Sequence, residues 1–167
     1  MADHGVVFLR RNAGRIKLSK QVIAEMHPFA QCSPDALEAG GVLLGRHLTD
    51  SPDIVVDNLT LPMDGDVRRR HFFLRRKRNH QKAIDAAWRQ SAGTCTYLGE
   101  WHTHPEPDPR PSKFDLMNWN ARMCFDRHSG ILFFVILGTR SIRIWEGRNG
   151  CRRPFLLQLQ GTHGESR

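Results

Sequence analysis

Residues 99–115 read GEWHTHPEPDPRPSKFD, and the rest of the chain is arranged around them. The stretch holds His102-x-His104-Pro105, a run rich in proline and acid, and then Ser112-x-x-Asp115, so two imidazoles and one carboxylate fall within fourteen residues. A catalytic zinc takes three protein ligands drawn from His, Cys and carboxylate and keeps its fourth position for water. His102, His104 and Asp115 supply such a set. A strand presents residues i and i+2 on one face, so a strand ending in H-x-H can aim both rings at one ion while Thr103 points away. The proline-rich connection cannot be a central strand and reads as a loop. Ser112 then begins a helix, with Asp115 three residues on in the position of a capping box.

Working outward, TCTYLGEW at residues 94–101 is the strand that delivers the two histidines. Before it, Ala83, Ile84, Ala87 and Trp88 mark one face of a helix over residues 79–91 that Gly93 stops. After Ser112, the stripe Phe114, Met117, Ala121 and Cys124 predicts an inward helix face. ILFFVILG, following Gly130, is almost wholly apolar and too short for a membrane, which makes it a buried central strand. SIRIWEG is its hairpin neighbour, residues 154–159 are the last strand, and GTHGESR is a frayed tail from about residue 160.

Toward the amino terminus, GVVFL and RIKLS are two strands around a turn at Asn12-Ala13-Gly14. Ser19 caps a helix carrying Val22, Ile23, Met26 and Phe29, which Pro28 ends at about His27. The loop QCSPDALEAG leads into GGVLLGRH, a buried strand beginning just after Glu38. DIVVDNLTL at 53–61 is a further strand closed by a turn at 62–65. In residues 68–80, RRRHFFLRRKRNH, the apolar centre reads as one strand between two basic clusters. The pattern is mixed α/β, with seven or more strands and three helices in a single domain over 1–167.

Composition excludes several classes. With 167 residues, 40% hydrophobic and 25% charged, the chain matches one ordinary globular domain. No apolar run reaches the roughly 18 residues of a membrane span, and the first residues lack the order of a secretory signal, so the expected location is the cytoplasm. Cys32, Cys95, Cys124 and Cys151 are far apart and form no CxxC pair, which removes a zinc ribbon on spacing. Zinc nucleobase deaminases need Cys-x-x-Cys and His-x-Glu, and both are missing. Cys95 and Cys124 read as core. The net charge of +8 favours acidic partners.

H-T-H-P followed by seven residues from His104 and then S-x-x-D resembles the signature of the JAMM (MPN+/JAB) zinc metalloproteases, a family of deubiquitinases and other isopeptidases. The glutamate that this family carries before a Gly-rich strand has its counterpart in E-A-G-G-V-L-L-G, beginning at Glu38. The resemblance implies a curved mixed sheet flanked by helices and one zinc held by His102, His104 and Asp115. It also implies Glu38 as general base and Ser112 as donor to the developing oxyanion. None of these positions departs from the family's pattern. More narrowly, the chain is similar to the stand-alone prokaryotic JAB peptidases encoded beside CD-NTases in CBASS antiphage operons. The implied substrate is the carboxy-terminal tail of a CD-NTase or ubiquitin-like protein attached by an E1/E2-like system.

Two alternatives stay open on the sequence. One is a JAB peptidase of another ubiquitin-like operon, processing a ubiquitin-like precursor. The other is a nucleic-acid-binding module using the basic run at 68–78, against which stands the reading of those arginines, with His71 and His80, as solvated surface.

Overall fold

The computed structural model describes residues 5–11, 14–126, 130–150 and 153–161. Along the chain, strands β1 (Val6–Leu9) and β2 (Arg15–Leu18) precede helix α1 (Lys20–Met26) and a 3-10 turn (His27–Phe29). Strands β3 (Gly40–His47), β4 (Ile54–Leu59), β5 (Val67–Arg69) and β6 (Phe72–Leu74) lead to helix α2 (Lys77–Gln90). Then come β7 (Thr96–Thr103), α3 (Lys113–Phe125), β8 (Ile131–Leu137), β9 (Ile142–Arg148), β10 (Phe155–Leu156) and β11 (Gln158–Leu159). Nine strands form one sheet in the order β10-β9-β8-β7-β3-β4-β2-β1-β11, while β5 and β6 form a separate hairpin. Pairing is antiparallel except for β2 with β4 and β7 with β8, so the expected mixed sheet is present.

Because parallel strands need a crossover, β7 and β8 are joined through α3, and this unit sets H-x-H at the end of β7 against the start of α3. Both faces of the sheet are covered. Ile16, Leu18, Leu43, Leu98, Trp101 and Phe133 pack with Val22 and Met26 of α1. Val42, Leu44, Tyr97 and Phe134 pack with Trp119 and Met123 of α3 and with Ile84 and Ala87 of α2. As expected, residues 132–137 of β8 are buried throughout.

Leu98 and Trp101 lie on the same side of the sheet, although residues three apart in a regular strand face opposite ways. The cause is a bulge: Leu43 pairs with Gly99 and Leu44 with Tyr97, leaving Leu98 without a register partner in β3. Gly99 takes φ +143, where a Cβ would sit 1.8 Å from the Phe133 carbonyl oxygen, so glycine is required there. The bulge re-aims the strand.

The structure corrects several sequence expectations. The strand expected at the apolar centre of residues 68–80 is β6, but the flanking basic clusters are not plain loop: Arg68 and Arg69 belong to β5, the chain turns at Arg70 and His71, and α2 begins at Lys77. The strand expected at 154–159 divides around Leu157 into β10, paired with β9, and β11, paired with β1. One short segment therefore touches both ends of the curled sheet. The buried face of α3 is Asp115, Trp119 and Met123. Of the predicted stripe, Met117 and Cys124 are exposed, so only Cys95 of the two cysteines is core. Trp88 is half exposed, and the inner face of α2 instead begins with His80, which is fully buried rather than solvated. His80 Nδ1 lies 2.6 Å from Thr60 Oγ1 and its Nε2 lies 3.0 Å from Asp66 Oδ2. The Asp66 carboxylate can only accept, so the proton between them is on Nε2, while Thr60 Oγ1, which also accepts the Val42 N–H, is the partner of Nδ1. Asn12, Ala13, Cys151 and the tail from residue 162 lie outside the described residues.

The two ends of the sheet are also tied by charge. Arg10, just past β1, pairs with Glu146 of β9 at 3.0 Å, with both side chains nearly inaccessible, and Arg148 Nε donates to the same carboxylate at 2.7 Å. Removing one partner of a buried pair strands the other. Glu146→Ala is therefore expected to cost about 3–5 kcal/mol, read by urea denaturation, while the Arg10→Met/Glu146→Leu pair recovers most of the loss. An unchanged midpoint for Glu146→Ala would show that the clasp does not hold the sheet.

Candidate active site

The donor set is assembled by two local rules of chain geometry. Strand alternation puts His102 and His104 on one side of β7, and their Nε2 atoms lie 3.1 Å apart. Helix capping brings in the carboxylate: Asp115 N–H donates to Ser112 Oγ at 3.1 Å, and Ser112 N–H donates to Asp115 Oδ2 at 2.6 Å, a complete capping box. That box fixes Asp115 in the first turn of α3, with Oδ1 3.4 Å from His102 Nε2 and Oδ2 3.4 Å from His104 Nε2. All three residues are buried, and their donor atoms lie within 4.8 Å of one another.

These separations test whether the group fits an ion. Ligands about 2.0–2.1 Å from a tetrahedral zinc lie roughly 3.3–3.4 Å from one another. The two imidazole nitrogens are 3.1 Å apart and each lies 3.4 Å from a different oxygen of Asp115; with one donor atom per residue the set falls within 4.8 Å, so the donors surround one point at close to that scale. Three lone-pair donors converging in this way could hold a cation.

Charges in the site follow from the same geometry. Burial alone would raise the Asp115 carboxyl, but hydrogen bonds with His102 and His104, the His102 charge and the Ser112 side chain hold it well below the usual carboxylate range. Burial lowers His104, and the hydrogen bond and charge of Asp115, with the charges of Glu38 and Glu106, outweigh it, leaving the imidazole raised. Glu38 stands at the entry to β3, with Oε1 3.8 Å from His104 Nε2. Burial raises its carboxyl to about 7; the His104 charge pulls it down, and Asp115 and Glu106 push it up. A proton acceptor with affinity near neutrality suits general base work.

Gly40 follows one residue after Ala39, and a Cβ there would meet the Phe73 ring at 2.6 Å, so the β5–β6 hairpin rests directly on β3 beside Glu38. A cavity of about 170 Å³ opens along the centre, lined by Glu38, His102 and Asp115 and by Phe73, Arg75, Lys77, Asn118 and Arg122. The hairpin and α3 also meet at Phe72 and Phe114, whose rings lie 5.0 Å apart.

All five residues singled out in the sequence, Glu38, His102, His104, Ser112 and Asp115, are thus placed at one locus by β3, β7 and α3. The other acids nearby are engaged differently. Glu100 pairs with Arg75, whose Nε lies 3.0 Å away, Asp108 pairs with Arg143, and Glu106 faces His104 Nδ1 at 3.8 Å, the nitrogen turned from the donor set. The basic run is less solvated than expected. Arg68 donates to the Glu38 carbonyl at 2.8 Å, Arg70 to the Ser33 carbonyl at 2.9 Å, and Arg75 is tied to Glu100. Gln31, unmarked in the sequence reading, is buried against this region. No local pattern identifies it, because its partners are scattered over some seventy residues.

A curved mixed sheet bearing a His-His-Asp donor set, with a buried glutamate facing it, defines a hydrolase of the metallopeptidase class. The chain belongs to the family of prokaryotic homologues of the JAB domain, whose family model matches residues 19–147. It is 34% identical over 133 residues to a CD-NTase/cGAS isopeptidase of Pseudomonas aeruginosa (strain BWHPSA011 / Pa011), covering 80% of this chain and 83% of the relative. With the CD-NTase/cGAS isopeptidase of Vibrio cholerae serotype O1 it shares 32% identity over 148 residues, 89% of this chain and 90% of that protein. The fold is similar to that of a Desulfitobacterium hafniense protein solved in solution, with a TM-score of 0.57 and 23% identity over 87% of this chain and 89% of that one. No helix among the described residues is long and apolar enough to cross a membrane.

Proposed function

We propose that this chain is a zinc-dependent isopeptidase that releases a CD-NTase from the molecules to which its carboxy terminus has been conjugated, reversing an E1/E2-type ligation in cytoplasmic antiphage defence. The observation that carries the reading is the His102, His104 and Asp115 donor set with Glu38 beside it, in a chain about a third identical to two CD-NTase/cGAS isopeptidases over most of its length.

His102, His104 and Asp115 would hold the ion. When bound, zinc acts as a Lewis acid that lowers the pKa of water and polarises a carbonyl. Glu38 Oε1 takes the proton of the attacking water and delivers it to the leaving amine. The Ser112 hydroxyl uses a lone pair to cap α3, so its proton stays available for the developing oxyanion. The cleft between the β5–β6 hairpin and α3 takes the tail in extended form.

The test uses the CD-NTase encoded in the same genome, fused through its carboxy terminus to a reporter protein. Release of the reporter, stopped by a chelator and restored by zinc, is the expected result. Cleavage of only a ubiquitin-like precursor would move the substrate to another operon type. Salt-sensitive nucleic-acid binding that ignores the chelator, with no cleavage, would sink the peptidase reading.

A further inference from the structure

Thr103 stands between the two histidines and points to the other side of β7, where it is wholly buried. Its Oγ1 accepts the Ala39 N–H at 3.0 Å and donates to Gln31 Oε1 at 3.3 Å, while its own N–H donates to the Ala39 carbonyl at 2.9 Å. Gln31 is itself buried, and its Nε2 donates to the carbonyls of Ala36 at 3.0 Å and Arg70 at 2.7 Å. Each polar group of this pair is satisfied, and the amide has one consistent orientation: both protons to carbonyls, the oxygen to a hydroxyl. A fully satisfied buried network fixes the geometry of what it joins.

The pair joins the segments whose relation matters most for the chemistry. Ala36 and Ala39 bracket Glu38, Thr103 lies on the strand that carries the metal donors, and Arg70 is the turn of the hairpin that walls the cleft. From the hairpin side, Glu38 N–H donates to the Arg69 carbonyl at 2.8 Å. The Glu38 backbone is therefore set between β7 and the hairpin, and its side chain reaches toward His104 from that fixed base.

We infer that Gln31 and Thr103 are positioning residues that set the Glu38 carboxylate against the metal donors through the backbone on either side of it. The inference rests on the reading of Glu38 as general base. Misplacing a reacting group by 1 Å can cost roughly 100-fold in rate, and loss of one hydrogen bond in a packed site displaces it by less. Thr103→Val keeps the shape and removes the hydroxyl. With the reporter fusion as substrate, it is expected to lower kcat about tenfold at unchanged KM and unchanged zinc content. Thr103→Ser, which keeps the hydroxyl, restores kcat to within about twofold.

A double-mutant cycle separates positioning from general weakening. In a Glu38→Gln background, where the positioned group no longer works as a base, Thr103→Val is expected to cause no further loss. A full tenfold loss in that background, or equal losses for the Val and Ser variants, overturns the inference. If Thr103→Val does not fold, Gln31→Met enters the same cycle with the same criteria. Glu38→Gln turning over at the wild-type rate would be a different failure, that of the base itself, and the inference would fall with it.

Discussion

Asp115→Ala is expected to lose the metal and the activity together, and Asp115→Asn separates the reasons. The carboxylate has two tasks in one turn of helix. Its oxygens lie 3.4 Å from the two histidine nitrogens, and Oδ2 also accepts the Ser112 N–H that closes the capping box. Alanine removes both, so loss of the charged donor is compounded by about 1 kcal/mol of cap. Asparagine keeps the shape and an acceptor for Ser112 but removes the negative charge. The Asn variant is expected to melt close to the metal-free wild type and the Ala variant below it, while both fall in zinc affinity by more than about 100-fold, beyond what an outer partner of a ligand contributes. Zinc content after dialysis, measured beside reporter release, is the check. Stoichiometric zinc in the Asn variant would remove Asp115 from the donor set and leave it as a helix cap.

The parts of this centre that were legible in the sequence are those that one element carries alone. H-x-H needs only strand alternation, and Ser112-x-x-Asp115 needs only the first turn of a helix, so both could be placed from spacing. Glu38 was found through the Gly-rich strand after it, by resemblance, since nothing local joins it to His104 across the sheet. The reading of α3 failed for a reason that belongs to active sites. Taking apolar residues as the inner face selected Met117 and Cys124, yet the face is set by Asp115, and Trp119 and Met123 follow it at helical spacing. Met117 lies about 200° around the helix from Asp115. His80 departs in the same way: a polar residue amid cations reads as surface, but it faces Thr60 and Asp66 in the interior. The bulge at Leu98 depends on pairing with β3. The division of residues 154–159 depends on two distant strands, and neither has a local sign.

Glu38→Gln is expected to keep zinc and lose turnover. The carboxylate stands 3.8 Å from His104 Nε2 and is not one of the three donors that gather within 4.8 Å, so removing its charge leaves those donors intact. Glutamine preserves volume, and the backbone contacts of residue 38 to Arg68 and Arg69 do not involve the side chain. What disappears is the proton acceptor. General acid–base catalysis contributes about 10²–10⁴-fold, and kcat should fall within that span while KM and zinc content stay near wild type. Among the described residues no neighbouring acid is placed to substitute. Glu100 is bound to Arg75, Asp108 to Arg143, and Glu106 lies on the far side of the His104 ring. Glu38→Ala is expected to behave alike in turnover, and small carboxylic acids such as formate should restore part of its activity by entering the space left behind. A glutamine variant that cleaves the fusion at the wild-type rate with its zinc in place would show that the proton leaves by another route.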